Sequence, residues 1–264
     1  MIELDTIYNE DCLTGMQRIP DGSVDLTVTS PPYDNLRAYK GYSFDFENVA
    51  KELYRVTKDG GIVVWVVGDA TIDGDETGTS FRQALYFKEI GFKLNDTMIW
   101  SKPNPCPSMA ASRYTQAFEY MFVFSKGKPK TFNPIRVKCT HAGQDYTSNF
   151  RERGSDGNPD SERKQKNIVI HQDRPEYNVW KISIAQNKTG HPAVFPMQIA
   201  IDHIRSWSND GDTILDPFLG SGTTALAAIR LYRRFIGFEI SSDYYDIALR
   251  RIKLEQQQQT LFQV

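Results

Sequence analysis

Cysteine is scarce in this 264-residue chain, long apolar runs are missing, and net charge is nearly so. The three cysteines, Cys12, Cys106 and Cys139, are scattered, odd in number and never spaced as CxxC. That excludes a disulfide framework and predicts a reducing, cytoplasmic setting without structural zinc. The longest clean apolar run, Ile62–Val67, falls far short of the roughly 20 residues a membrane span needs, so no membrane partner is expected. Met1–Asp5 is acidic and lacks the charged-then-apolar layout of an export signal. The four histidines, His141, His171, His191 and His203, show no metal-ligand spacing, and no metal is expected.

What is present is ordinary for a soluble globular protein: 40% hydrophobic and 24% charged residues. At roughly 150 residues per domain, the length suits one large domain, or one domain with an insert. The net charge of −2 argues against indiscriminate nucleic-acid binding. The charge is unevenly spread, however. Residues 126–166 hold ten basic side chains, Arg136, Lys138, Arg151 and Arg153 among them, against five acidic ones. Two readings stand: a basic surface facing a polyanion, or a solvated, partly disordered loop.

Residues 1–125 alternate strand and helix signals. Val24–Thr29 is a β-branched run ending at Pro31-Pro32. Phe46, Val49, Ala50, Leu53 and Tyr54 share one helix face, and Lys58-Asp59-Gly60-Gly61 ends that helix. Ile62–Val67 is apolar on both faces, as a buried parallel strand requires. Phe81–Ile90 predicts a helix, and Asp96–Ser101 and Tyr120–Ser125 predict strands. Residues 126–176 lose the periodicity and read as an insert. After it, Pro196 opens a helix, Asp212–Asp216 is a strand, Ser221–Leu231 a helix, Phe235–Ile240 a strand and Asp243–Leu254 a helix. The Gln256–Gln259 tract is expected to fray. The alternation predicts an α/β, doubly wound, mostly parallel sheet.

Two segments carry chemistry. Asp216-Pro217-Phe218-Leu219-Gly220-Ser221-Gly222-Thr223-Thr224 lies between a predicted strand and a predicted helix, where an open α/β sheet binds ligands. It lacks the lysine of a P-loop and the third glycine of a dinucleotide fingerprint. Glu239, 23 positions after Asp216 and at the end of the next strand, suits a ribose diol, so a nucleoside without a pyrophosphate fits. The plain alternative is a structural glycine turn. The second segment is Thr29-Ser30-Pro31-Pro32-Tyr33. Two prolines stiffen the loop and remove two backbone donors. Carbonyl oxygens, a hydroxyl and an aromatic face remain, which together suit a planar ring bearing an NH₂ group. A rigid proline turn with an exposed tyrosine is the competing account.

Together these residues resemble the amino-group DNA methyltransferases, which move a methyl group from S-adenosylmethionine to cytosine N4 or adenine N6. Ser-Pro-Pro-Tyr at 30–33 precedes the glycine loop at 216–223, with a variable basic stretch between, and that order is similar to the β group. The resemblance implies a seven-stranded, mostly parallel methyltransferase sheet. Residues 1–125 and 177–264 would form the catalytic domain and 126–176 a basic target-recognition insert. Ser30, Pro31, Pro32 and Tyr33 would be catalytic: Ser30 and the Pro31 carbonyl accept from the amine while Tyr33 stacks on the base. Asp216, Phe218, Gly220, Ser221, Gly222 and Thr223 would line the methionine and ribose part of the cofactor, and Glu239 would bind the ribose. Asp11 and Cys12 would meet the adenine, although Glu10 stands where a glycine commonly precedes the aspartate. His191, Ala193 and Phe195, in the stretch ending at Pro196, would close the methionine side.

Serine at position 30 is similar to the cytosine-N4 enzymes, whereas aspartate or asparagine is the usual adenine form, so cytosine N4 is favoured over adenine N6. The target amine is buried in duplex DNA, so the base must be flipped out. Arg37 and Lys40, with Tyr39 and Tyr42, either contact substrate or DNA backbone or form an exposed loop. Arg136, Lys138, Arg151 and Arg153 would contact phosphates or base edges. Double-stranded DNA is the expected partner; a cognate restriction endonuclease and a second copy of the chain are partners the family admits. Two further readings are a methyltransferase acting on RNA, protein or a small molecule, and a silent DNA-binding module.

Overall fold

The computed structural model describes residues 2–32, 44–105, 112–150, 164–184 and 196–262. The chain begins with β1 (Thr6–Tyr8), α1 (Cys12–Met16), β2 (Val24–Thr29), α2 (Phe46–Val56) and β3 (Thr57–Val67). A small ribbon, β4 (Thr71–Ile72) and β5 (Asp75–Glu76), precedes α3 (Thr79–Glu89), β6 (Lys93–Ser101) and β7 (Phe118–Ser125). Four short strands follow: β8 (Arg136–Lys138), β9 (Asp145–Phe150), β10 (Lys164–Val169) and β11 (Asp173–Pro175). Then come β12 (Val179–Lys181), α4 (Met197–Trp207), β13 (Thr213–Asp216), α5 (Thr223–Arg230), β14 (Arg234–Phe238) and α6 (Ser242–Phe262).

Two compact units result, one from Met1–Asn133 with Asn178–Val264 and a smaller one from Pro134–Tyr177. The larger unit holds an eight-stranded sheet in the order β1-β14-β13-β2-β3-β7-β6-β12. Neighbours from β1 through β3 are parallel, β7 runs against both β3 and β6, and β12 is parallel to β6. Chain connections diverge between β13 and β2, so the crevice beyond their carboxyl ends is the switch point of a doubly wound sheet.

Each element follows from local chemistry. Val49, Ala50, Leu53 and Val56 turn one buried stripe of α2 to the sheet, and the Asp45 carboxylate caps the helix by accepting from Asn48 N–H. Ile62 to Val67 are at most 1% exposed, which requires cover on both faces. Helices α1, α2 and α3 bury Met16, Leu53 and Phe87 in the same cluster as Trp65 and Phe124. On the opposite side, Ile199 and Ile204 of α4 and Ala225 to Ala228 of α5 are buried. The four tryptophans are all buried, at 9% exposure or less, and His203 is fully buried.

Three expectations are corrected. The sheet has eight strands, not seven: β12 adds an edge, where Trp180 lies opposite Trp100 and the Trp100 indole donates to the Ile182 carbonyl at 2.7 Å. Helix α2 has already ended at Val56, so Lys58–Gly61 is not its terminator. That stretch continues β3 as a bulge opposite β2, possible because Gly60 adopts φ 81°. The last helix does not stop at Leu254; α6 runs on through the Gln256–Gln259 tract to Phe262, as glutamine's good helix propensity permits. Among the described residues, no helix is long and apolar enough to cross a membrane.

The smaller unit is two antiparallel ribbons, β9 with β10 and β8 with β11.

Candidate active site

The site is built where β2 and β13 end side by side. Their parallel register pairs Leu26 with Ile214 and Thr27 with Leu215. Just beyond that pairing, the Thr29 hydroxyl donates to Asp216 Oδ1 at 2.6 Å, across 187 positions of sequence and in a fully buried setting. Ser30, the next residue, therefore leaves the sheet at the same crevice as the glycine loop. Pro31 is buried and Pro32 half-buried there. The Phe218 N–H returns to Asp216 Oδ1 at 3.0 Å, closing the turn after β13.

The glycine loop is shaped by backbone bonds. Leu219 N–H donates to the Phe238 carbonyl at 2.9 Å and Gly222 N–H to the Leu219 carbonyl at 3.0 Å. Gly220 and Gly222 lie at φ 55° and 88°, which only glycine adopts without strain, and Gly222 caps α5. Gly220 N–H donates to Glu239 Oε2, and Ser241 N–H to Glu239 Oε1, each at 2.8 Å. Ser221 and Thr223 are buried, at 3% and 4% exposure.

The N-terminal strand forms the third side. Glu239 N–H donates to the Tyr8 carbonyl, and the Asn9 amide donates to the Glu239 carbonyl at 2.8 Å. Asp11 is exposed and caps α1 by accepting from Leu13 and Thr14 N–H. Glu10 pairs with Arg18. Cys12 is buried; burial first, then the Asp11 charge, push its thiol up to about 12, so it is inert as a nucleophile near neutrality. Phe44 meets Phe218 edge-on at 5.2 Å, and Trp65 lies beneath both.

Two acids dominate the electrostatics. Burial pushes the Asp216 carboxyl up to about 6, against hydrogen bonds that favour the anion. The Thr29 hydroxyl and the Phe218 N–H supply these, whereas the Thr224 hydroxyl directs its single proton to the Val28 carbonyl at 3.2 Å. Asp216 Oδ2 is left, among the described residues, without a hydrogen-bond partner. Burial also raises Glu239, with Asp216 adding and the Ser241, Gly220 and Ile240 N–H groups opposing. A buried carboxylate oxygen lacking a donor is costly. The crevice thus suits a ligand with a cationic, N–H-bearing end beside Asp216. Glu239 Oε2 accepts the Gly220 N–H and Oε1 the Ser241 N–H, and the carboxylate retains lone-pair capacity for a hydroxyl. A sulfonium nucleoside with an amino-acid tail meets both requirements.

Of the anticipated residues, Ser30, Pro31 and Pro32 share this crevice with Asp216, Phe218, Gly220, Ser221, Gly222, Thr223 and Glu239, and Asp11 and Cys12 follow the strand beside Glu239. Tyr33, Arg37, Lys40, Arg151, Arg153, His191, Ala193 and Phe195 lie outside the described residues. Arg136 and Lys138 belong to the smaller unit, where Arg136 pairs with Asp173 through Nε at 2.7 Å and Lys138 is exposed. Sequence reasoning gave Thr29 no role of its own and missed Asn9 and Phe44. Their types are unremarkable, and each matters through a partner far away in sequence. Among the described residues no cluster of side chains could hold a metal ion.

Residues 24–250 match the family described as DNA methylase, the N6/N4 methyltransferases. The orphan methyltransferase M.BamHII of Bacillus amyloliquefaciens is 51% identical over 246 residues, spanning 90% of this chain and 91% of that protein. The type II methyltransferase M.Cfr9I of Citrobacter freundii is 26% identical, over 95% of this chain and 88% of its own. Among solved structures, the PvuII DNA methyltransferase (cytosine-N4-specific) superimposes with a TM-score of 0.66 at 23% identity, covering 92% of this chain and 84% of that one. The M1.HpyAVI–SAM complex gives a TM-score of 0.62 at 25% identity, covering 93% and 98%.

Proposed function

This chain belongs to the N6/N4 DNA methylase family, and on that premise we propose that it transfers a methyl group from S-adenosylmethionine to the exocyclic amine of a flipped base at a specific site in double-stranded DNA, with cytosine N4 the favoured target. The observation that carries this reading is the buried Thr29–Asp216 hydrogen bond at 2.6 Å, which brings the Ser-Pro-Pro loop and the glycine loop to one crevice. The solved M1.HpyAVI complex with the same cofactor supports its choice.

When bound, the cofactor supplies an electrophilic methyl group. Asp216 would face its cationic end and Glu239 its ribose, with Gly220 to Thr223 lining the space between. Asp11 and Cys12 would meet the adenine, and His191, Ala193 and Phe195 would close the methionine side. At the catalytic loop, Ser30 and the Pro31 carbonyl accept hydrogen bonds from the target amine, which draws its lone pair out of the ring, and Tyr33 stacks on the base. Orientation and preset dipoles are the rate terms here. Ser30 in place of aspartate or asparagine supports cytosine. Arg136, Lys138, Arg151 and Arg153 of the insert, with Arg37 and Lys40, would hold phosphates or read base edges. The word orphan in the name of the 51%-identical relative supports methylation without a partner nuclease.

The test is expression in a host free of DNA methylation, followed by single-molecule sequencing and nucleoside mass spectrometry. N4-methylcytosine in one sequence context is the expected result. N6-methyladenine would overturn the base assignment, and unmodified DNA the reading as a whole.

A further inference from the structure

We propose that Arg251 of α6 is a positioning residue for the glycine loop and thereby sets the affinity for the cofactor. This rests on the reading of Gly220–Thr223 as the cofactor loop.

Ser221 sits between two glycines in left-handed conformations. Glycine has many accessible conformations, so such a loop needs outside restraint to hold one of them. On its inner side the restraint comes from Glu239 and the Phe238 carbonyl, which receive the Gly220 and Leu219 N–H groups. Nothing in that set holds the Ser221 carbonyl. It is held by Arg251, whose Nη1 donates to the Ser221 carbonyl oxygen and, at 2.9 Å, to Ser221 Oγ. One guanidinium nitrogen thus meets both side-chain and main-chain acceptors of the residue between the two glycines. With Ser221 only 3% exposed, loss of that donor would leave a desolvated carbonyl.

The placement of Arg251 is enforced by packing. A Cβ on Gly222 would stand 3.2 Å from Ala248 Cβ, so α6 lies directly against the loop. Ala248 is fully buried, and Arg251, three residues on, projects from the same helix face. Burial, with nearby Arg230, lowers the Arg251 pKa, while Glu255 opposes. The guanidinium stays charged because its ordinary value is so high. Glu255 is itself engaged by Arg230 through two hydrogen bonds at 2.7 and 2.8 Å. Arg251 thus acts on the cofactor through the loop it holds. Its loss loosens binding and leaves the crevice between Ser30 and Asp216 intact.

Calorimetric binding of S-adenosylmethionine and steady-state methylation of unmodified DNA test this. Arg251→Ala is expected to raise Kd and KM for the cofactor about tenfold or more, with kcat at saturating cofactor within about twofold. Arg251→Lys should recover part of the affinity, since one ammonium can satisfy one or both Ser221 acceptors less rigidly. Arg250→Ala removes the same charge one position away, at an exposed site, and should change neither constant. Should Arg251→Ala fail to fold, Arg251→Gln, which keeps a neutral donor, is read in the same way. Unchanged affinity in a folded Arg251 variant, or a fall in kcat with KM unaltered, overturns the proposal. Failure of the unsubstituted protein to bind the cofactor overturns instead the reading of the loop.

Discussion

Burial holds the Asp216 carboxyl above the ordinary carboxylate range. It titrates near 6 when folded, against an ordinary value of 3.8. A raised acid contributes stability that is whole below its unfolded pKa and is lost as pH rises through the folded one. Asp216→Asn removes that loss while keeping an acceptor for Thr29 and Phe218. We expect the variant to match the unsubstituted protein near pH 4 and to exceed it by about 3 kcal/mol at pH 8, in urea unfolding at both values. Calorimetry on the same variant should show much weaker cofactor binding, because the amide cannot offset a cation. Equal stability at the two pH values would mean the carboxyl is not desolvated. Thr29 acts on the same group. Thr29→Val deletes a hydrogen bond to the anion, so the midpoint of cofactor affinity against pH should move upward, and Thr29→Ser should return it.

The elements that carry the site are set by close packing as much as by pattern. Helix α1 is five residues long, too short to persist alone, and depends on the Asp11 cap and on contact with β14. A Cβ at Gly15 would lie 2.1 to 2.7 Å from the Phe238 ring. Gly15→Ala should therefore destabilise the protein by about 1–3 kcal/mol through overpacking, despite alanine's better helix propensity, and thermal unfolding measures it. Strongly periodic elements were legible from sequence: β2 spans the expected residues, and α2, α3 and β7 differ from expectation only at their ends. Strand β12 was not legible. Three residues hold no period, and its pairing with β6 reaches across the insert. The bulge at Lys58–Gly61 was also hidden, because Gly60 makes hydrogen bonds there that depend on Lys126 and Lys130 arriving alongside.

At the scale of the molecule, charge asymmetry is the testable feature. If the smaller unit meets DNA phosphates, binding weakens steeply with salt. Arg136→Ala combined with Lys138→Ala should weaken binding to every duplex alike and flatten the dependence of log K on log salt by about one for each phosphate no longer neutralised. Fluorescence anisotropy at several salt concentrations reads both effects, and an unchanged slope would remove these two side chains from the interface. Sequence alone determined the alternation of elements, the stiff Ser-Pro-Pro turn, the glycine loop and Glu239, since these depend on residue type and on short-range spacing. Tertiary structure alone decided that Thr29 would hold Asp216, that Asn9 would pin the end of β14, that Phe44 would rest on Phe218, and that Arg251 would grip Ser221. Those pairs stand as much as 231 positions apart, and such pairings exist only once the sheet has ordered its strands and desolvated the ends where they meet.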